Sequence, residues 1–234
     1  MNNIEFVNKL KIIATKYKTL YVMGCFGAPL NDKNKTRYTT NNKYNKRVDR
    51  VPLIKAASAD TFGFDCVCLI KGVLWGWNGD TSKVYGGAKY QSNGVPDITA
   101  DAMYKKCKER STNFADIEIG EVVWKSGHVG VYIGNGLAVE CTPSWANKVQ
   151  ITAVGNIGSK AGYKTRTWTG HGKLPYITYE EPKPKKTIDE LAREVIAGKY
   201  GNGIKRKKLL GDLYKPVQKR VNELLKIDYE KRTV

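Results

Sequence analysis

Histidine is scarce in this chain. Two occur in 234 residues, so imidazole chemistry has only His128 and His171 to draw on. Cysteines number five, an odd count without regular spacing, and that does not describe a disulfide framework. Reduced thiols are expected, one of them reactive. A zinc site among Cys66, Cys68, Cys107, Cys141 and His128 would need paired Cys-x-x-Cys or His spacings, and none is present. Long apolar runs are also missing: nothing approaches the roughly 18 uncharged residues of a membrane span. Acidic residues are outnumbered, 22 against 40 Lys plus Arg, for a net charge of +18.

What is present suffices for a folded protein. With 41% hydrophobic residues, the length allows one sizeable domain and a small one. The basic excess, spread over both halves of the chain, predicts attraction to a polyanion. Nucleic acid and an anionic bacterial wall both qualify, but no nucleic-acid-binding motif is recognisable. Residues Met1 to Tyr17 lack the basic, apolar and small-residue order of a signal peptide. Ile4, Val7, Leu10, Ile13, Ala14 and Tyr17 recur instead at helical spacing.

Composition shifts at Tyr179-Glu180-Glu181-Pro182-Lys183-Pro184-Lys185-Lys186, where alternating proline and charge favour an extended spacer. Domains are therefore expected over 1–179 and 187–234, joined by a 180–186 linker. Thr187-Ile188-Asp189-Glu190 forms a capping box that opens a helix. Ile188, Leu191, Ala192, Val195 and Ile196 make its apolar stripe, and Gly198 is its left-handed stop. A second short helix over Ile204 to Leu210, closed by Gly211, and a third marked by Val217, Val221, Leu224 and Leu225 complete a small bundle.

The central signal is Gly63-Phe64-Asp65-Cys66-Val67, which puts a cysteine at the start of an apolar helix running toward Trp77. A thiol there meets the positive end of the helix dipole, which favours the thiolate and lowers its pKa toward neutrality. Asp65 is placed to cap that helix. Acyl-bond cleavage by a thiol also needs an imidazole and a group that orients it. His171 sits in a flexible Thr169-Gly170-His171-Gly172 context with no evident carboxylate. His128 opens a strand on which His128, Gly130 and Tyr132 share one face and Val129, Val131 and Ile133 the other.

That strand turns at Gly134-Asn135-Gly136 into Leu137-Ala138-Val139-Glu140. A two-residue loop would pair Glu140 with Val131, away from His128. A three-residue loop with Gly136 left-handed pairs Ile133 with Leu137 and sets Glu140 opposite Gly130, on the His128 face. Glu140 is then the expected orienting residue, with Gly130 leaving room between the two side chains. Trp145 and Trp168 are candidates to stack on sugars, while Trp75 and Trp77 read as core. The basic stretch from Asn31 to Arg50 reads as a solvated loop, with a flap beside the cysteine helix as the functional alternative.

Two resemblances carry the reading further. Ile188-Asp189-Glu190-Leu191-Ala192-Arg193-Glu194-Val195-Ile196, Gly198-Lys199-Tyr200-Gly201-Asn202-Gly203, Arg206, Leu210 and Val217 to Leu224 resemble the CW-seven type cell-wall-binding repeat of lysins. The resemblance implies recognition of the glycan-peptide junction of peptidoglycan, with Gly201, Asn202, Gly203, Arg206 and Gln218 as contacts.

Tyr21-Val22-Met23-Gly24-Cys25, Gly63-Phe64-Asp65-Cys66 and Gly127-His128-Val129-Gly130-Val131-Tyr132-Ile133-Gly134-Asn135-Gly136 resemble the NlpC-type papain-like peptidase domain of cell-wall hydrolases. The resemblance implies an α+β fold with helices packed on an antiparallel sheet. It also implies Cys66 and His128 as catalytic pair, Glu140 twelve positions beyond the histidine as third residue, and Tyr21 at the substrate site, where Asp65, next to the nucleophile, is expected as a second substrate contact. Val67-Cys68 stands where that family usually has Ser-Gly, and a glutamate third residue is closer to the CHAP amidases.

Together these imply a phage-type endolysin needing no cofactor or metal. Its expected partners are peptidoglycan and other anionic wall polymers, without nucleic acid or membrane insertion. It would be made in a host cytoplasm without a Sec address and reach the wall after lysis or a holin-type release. It would cut an amide of the peptide stem through a thioester, as endopeptidase or N-acetylmuramoyl-L-alanine amidase. A thioester acyltransferase and a basic nucleic-acid-binding protein are the alternatives.

Overall fold

The structure, a computed structural model, describes residues 1–179 and 186–232. The chain divides into two compact units, Met1–Glu180 and Glu181–Val234. Most of the expected linker, residues 180–185, lies outside the described residues.

The first unit begins with α1 (Asn3–Lys16), started by a capping box between Asn2 and Glu5. Its core face is Phe6, Val7, Leu10 and Ile13, whereas Ile4 is largely exposed. There follow β1 (Thr19–Tyr21), β2 (Phe26–Pro29), α2 (Asp32–Asn41), α3 (Val51–Ala56), β3 (Phe62–Phe64), α4 (Cys66–Leu74) and α5 (Ala100–Lys106). Seven strands complete it: β4 (Lys108–Ser111), β5 (Val122–Lys125), β6 (His128–Gly134), β7 (Leu137–Thr142), β8 (Lys148–Val154), β9 (Thr165–Arg166) and β10 (Gly170–Lys173).

These build two sheets, a three-stranded one in the order β1-β3-β2 and a seven-stranded one in the order β4-β10-β5-β6-β7-β8-β9. The larger is antiparallel except for the β8–β9 pair. Helices α1 and α4 pack on it, so the fold is α+β.

All nine residues of α4 are buried. Its aliphatic side chains each gain roughly 1.5–3 kcal/mol by leaving water, which makes α4 a rigid central strut. It starts directly beyond β3, the middle strand of the small sheet. Gly63 in β3 has no room for a side chain, because a Cβ there would lie 2.8 Å from the Cys25 sulfur.

The second unit contains α6 (Ile188–Ile196), α7 (Gly203–Leu210) and α8 (Tyr214–Arg232). The Thr187–Glu190 capping box is formed, and Gly198 (φ +80°) and Gly211 (φ +51°) end the first two helices in the left-handed region. Leu191, Ala192, Val195, Leu210, Val217 and Val221 form its core, with Ile188 and Leu224 packed against it. Ile196 and Leu225, expected inside, are 45% and 50% exposed. No helix among the described residues is long and apolar enough to cross a membrane.

Candidate active site

Cys66 is the first residue of α4, and Asp65 is its N-cap. The Asp65 Oδ1 accepts from the Cys68 amide at 2.7 Å, and Oδ2 from the Gly24 amide at 2.7 Å. One carboxylate thus starts the helix and ties down the turn after β1. Asp65 lines the cleft, as a substrate contact must, but both of its oxygens are engaged by these amides.

The Cys66 thiol is pushed up to about 12 by burial first and by the Asp65 anion second, while backbone amides of Val129 and Val67 oppose this. The expected low thiol pKa is therefore corrected. Position at the helix start does not overcome desolvation and a neighbouring carboxylate. A thiolate at neutral pH requires a base that takes the proton. The Val129 amide acts on the sulfur from the start of β6, the strand that His128 opens. Among the described residues no hydrogen bond joins His128 to Cys66, and His128 is not among the residues lining the Cys66 cleft.

His128 Nε2 donates to Glu140 Oε2 at 2.7 Å. Glu140 lies opposite Gly130, the placement expected, but by a different route. Asn135 (φ +55°) and Gly136 (φ +71°) form a two-residue turn of the mirror-image type. Leu137 pairs with Gly134, and a bulge between Tyr132 and Gly134 inserts the extra residue that brings Glu140 round. Gly130 fits tightly here: a Cβ would lie 3.0 Å from the Val139 carbonyl and 3.1 Å from Trp168, so a neighbour would have to give way. Trp168 stacks flat on the His128 ring, centroids 5.5 Å apart and planes 7° from parallel. Among the described residues no hydrogen bond is made to His128 Nδ1, from the Cys66 thiol or any other group.

Glu140 is fully buried. It accepts from Thr152 Oγ1 at 2.7 Å and from Arg166 Nε at 2.7 and 2.9 Å. Burial pushes its pKa up, but hydrogen bonds from His128 and Arg166 outweigh this and hold it below its ordinary value. It stays an anion, which fixes the imidazole tautomer with the proton on Nε2.

Cys66 opens on a cleft of about 730 Å³ whose walls include Tyr21, Asp65, Lys71, Asp97 and Asp101. The Tyr21 ring packs edge-on against Tyr44 at 5.8 Å. Arg50 donates to the Tyr21 carbonyl and, at 2.9 Å, to Asn147 Oδ1. Asn45 bonds both backbone groups of Met23, at 3.0 and 2.9 Å. The stretch from Asn31 to Arg50 is thus not a solvated loop; it carries α2 and braces the Tyr21 wall. Asp101 accepts from Trp124 Nε1 at 2.7 Å and the Gly127 amide at 2.8 Å, fixing the turn before His128.

His171, expected to lack a carboxylate partner, has one. Buried on β10, its Nδ1 bonds Glu121 and its Nε2 the Asn113 carbonyl at 2.8 Å. It does not line the cleft. Cys68 does, although it is buried. Trp168 is only 3% exposed and faces His128 rather than solvent, whereas Trp145 is 44% exposed.

In the second unit, Arg206 gathers the candidate contacts. Nε donates to the Gly201 carbonyl at 3.0 Å, Nη1 to Gln218 Oε1 at 3.0 Å and Nη2 to Asn202 Oδ1 at 3.1 Å. Gln218 in turn donates to Asn222 at 3.1 Å, and Gly203 starts α7.

Residues 189–225 match the CW_7 repeat. The structure is similar to the P60 domain of antigen MAP1204 from M. avium subspecies paratuberculosis, at 19% identity and a TM-score of 0.37, covering 73% of this chain and 93% of that one. It is similar to NlpC2 from Trichomonas vaginalis at 14% identity and a TM-score of 0.36, covering 74% and 46%. The peptidoglycan hydrolase RipB from Mycobacterium tuberculosis matches at 20% identity and a TM-score of 0.37, covering 73% and 64%. A comparison with curated protein sequences returned no match.

Three site residues escape a reading of the sequence alone: Arg166, Thr152 and Asp101. Thr152 was within reach of register reasoning, since Glu140 pairs with Gln150 and Thr152 is the next residue on the same face of β8. Arg166 lies on a two-residue strand paired in parallel, and no local pattern announces it.

Proposed function

We propose that this chain is a peptidoglycan hydrolase that opens an amide of the peptide stem with Cys66 as nucleophile. The observation that carries the reading is the His128–Glu140 hydrogen bond of 2.7 Å in the unit whose cleft holds Cys66 at the start of α4. The CW_7 match over 189–225 supports the wall as the place of action. The basic charge of +18 supports it too, since bacterial walls are polyanionic.

In this mechanism the Cys66 proton passes to His128 Nδ1 and the sulfur adds to the amide carbon. The resulting tetrahedral anion collapses with cleavage of the C–N bond, and the leaving amine takes the proton from His128. A thioester remains on Cys66. Water gives a proton to His128, adds to the thioester carbon and releases the acid, and Cys66 recovers its proton. Glu140, held anionic by its hydrogen bonds from His128 and Arg166, stabilises the imidazolium at both stages. Tyr21 and Asp65 stand where the stem would lie. The second unit holds the enzyme on an insoluble polymer and so raises the effective substrate concentration. The scissile amide is either the one between muramic acid and L-alanine or one within the stem. The protein then acts as a phage-type lysin that reaches the wall on release at lysis.

The test incubates purified sacculi with wild-type protein and with Cys66→Ala, followed by mass spectrometry. Soluble sugar-free stems with a new alanine amino terminus indicate the amidase cut, and new termini inside the stem the endopeptidase cut. Unchanged sacculi of several wall types would sink the proposal, and full activity in Cys66→Ala would move the nucleophile elsewhere.

A further inference from the structure

Trp145 is out of place as a hairpin residue. It sits between β7 and β8 with φ at +57°, a left-handed conformation that a bulky side chain rarely adopts. Its indole is 44% exposed. Strain together with exposure calls for a clamp, and the loop has one. The Asn147 amide donates to the Ser144 carbonyl at 3.2 Å, and Gln150 Nε2 donates to that carbonyl at 3.0 Å. The Asn147 carbonyl accepts from the Tyr21 amide at 3.0 Å, and its side chain accepts from Arg50 at 2.9 Å. The loop is therefore anchored to the same Tyr21 segment that walls the Cys66 cleft.

The indole also connects to the catalytic side chains. The Arg166 guanidinium lies over the Trp145 ring at 4.7 Å and over the Trp168 ring at 5.6 Å. Trp168 stacks on His128, and Arg166 bonds Glu140. Flat groups thus run in series from the proposed acid-base residue outward, and the last is an exposed indole backed by a cation. Core packing does not require this, since a tryptophan in the core would be covered. An indole whose polar environment lies on one side offers solvent an apolar, electron-rich surface.

We infer that Trp145 is a platform for a pyranose ring of the glycan to which the peptide stem is attached. The inference rests on the hydrolase reading for its substrate class. The axial C–H groups of a hexopyranose present a weakly positive apolar face, which suits the negative face of an aromatic ring. Binding the sugar on a rigid, already strained loop loses little conformational freedom. The enzyme then distinguishes stems still attached to glycan from stems already released.

Two matched probes test this: a disaccharide-linked stem, N-acetylglucosaminyl-N-acetylmuramyl-peptide, and the same peptide with an acetyl group in place of the sugar. All five tryptophans lie in the first unit, so indole N–H signals in the full-length protein do not come from the CW_7 segment. In Cys66→Ala protein, the Trp145 signal, assigned by its loss in Trp145→Phe, is expected to shift with the disaccharide probe and not with the acetylated peptide. Kinetically, Trp145→Ala should lower the preference in kcat/KM for the sugar-linked probe by about tenfold, or ~1.4 kcal/mol, and Trp145→Phe should restore most of it. Equal shifts with both probes, or an unchanged preference in Trp145→Ala, would overturn the platform. A selective shift in a protein that cleaves neither probe would remove the hydrolase reading and leave the platform standing. Normal cleavage without a selective shift would remove the platform alone.

Discussion

Arg166 Nε lies 2.7 Å from Glu140 Oε2, inside a site where Glu140 is fully buried and the Arg166 side chain only 15% exposed. Together with the His128 hydrogen bond, this ion pair holds the desolvated carboxylate below its ordinary pKa. Breaking one half of such a pair strands the other. Arg166→Met should destabilise the first unit by roughly 3–5 kcal/mol, measured by urea unfolding. Glu140 contributes stability that is present above its ordinary pKa and is lost as pH falls through its lowered folded value. The double variant Arg166→Met/Glu140→Gln should recover part of the stability without recovering turnover.

Glu140→Gln separates charge from shape. The amide still fills the space and still faces His128, but it cannot balance an imidazolium. Turnover of soluble muropeptides should fall by roughly 10²-fold, while sedimentation with sacculi stays as in the wild type. Undiminished turnover would remove Glu140 from its orienting role.

The route to this site shows which parts of it a sequence can reveal. His128, Cys66 and the alternating faces of β6 follow from spacing, because each depends on its immediate neighbours. Glu140 reaches the His128 face through a two-residue turn plus a bulge near Ile133, where the spacing predicts a three-residue loop. Both insert one residue, so the side-chain faces agree although the turns differ. The thiol pKa is not legible in sequence because burial and the Asp65 field depend on the whole fold, whereas the helix dipole can be read from position alone. Arg166, and Glu121 beside His171, were invisible because strand pairs distant in sequence bring them in.

Alkaline pH should unfold this protein through its thiols. Burial pushes Cys25 up to about 11 and Cys66 and Cys107 up to about 12, and it raises Cys68 and Cys141 well above their ordinary value. Above roughly pH 9 the unfolded chain loses thiol protons that the folded chain keeps, so stability declines as pH rises. Each thiol costs up to ~1.4 kcal/mol per pH unit in that window. Urea midpoints should be level from pH 7 to 8 and fall steeply from pH 9 to 11. Cys107→Ala should make that fall shallower by one proton.

Gly130→Ala tests the packing between His128 and Glu140. The added methyl would meet the Val139 carbonyl at 3.0 Å, Trp168 at 3.1 Å and the Glu140 Cβ at 3.3 Å. The backbone cannot retreat without breaking the β6–β7 ladder, so Trp168 must shift and tilt the imidazole stacked on it. Overpacking of this kind costs roughly 1–3 kcal/mol. Turnover should fall more than stability does, and a thermal melt run beside the kinetic assay distinguishes the two effects.

Arg206→Ala addresses the second unit. The guanidinium joins the Gly201 carbonyl, Asn202 and Gln218 by three hydrogen bonds, so its removal frees the glycine turn and the α8 side chain together. Each charge-assisted bond contributes roughly 1.5–3 kcal/mol, enough to blur the geometry of any surface these residues present. The variant should lose at least about tenfold in affinity for sacculi, read by pull-down at fixed salt. Its kcat/KM on a soluble muropeptide should match the wild type, because the first unit, which contains Cys66, is unaltered. Arg206→Lys, which keeps the charge but not the planar fork, should behave like alanine if geometry controls binding and like the wild type if charge alone does.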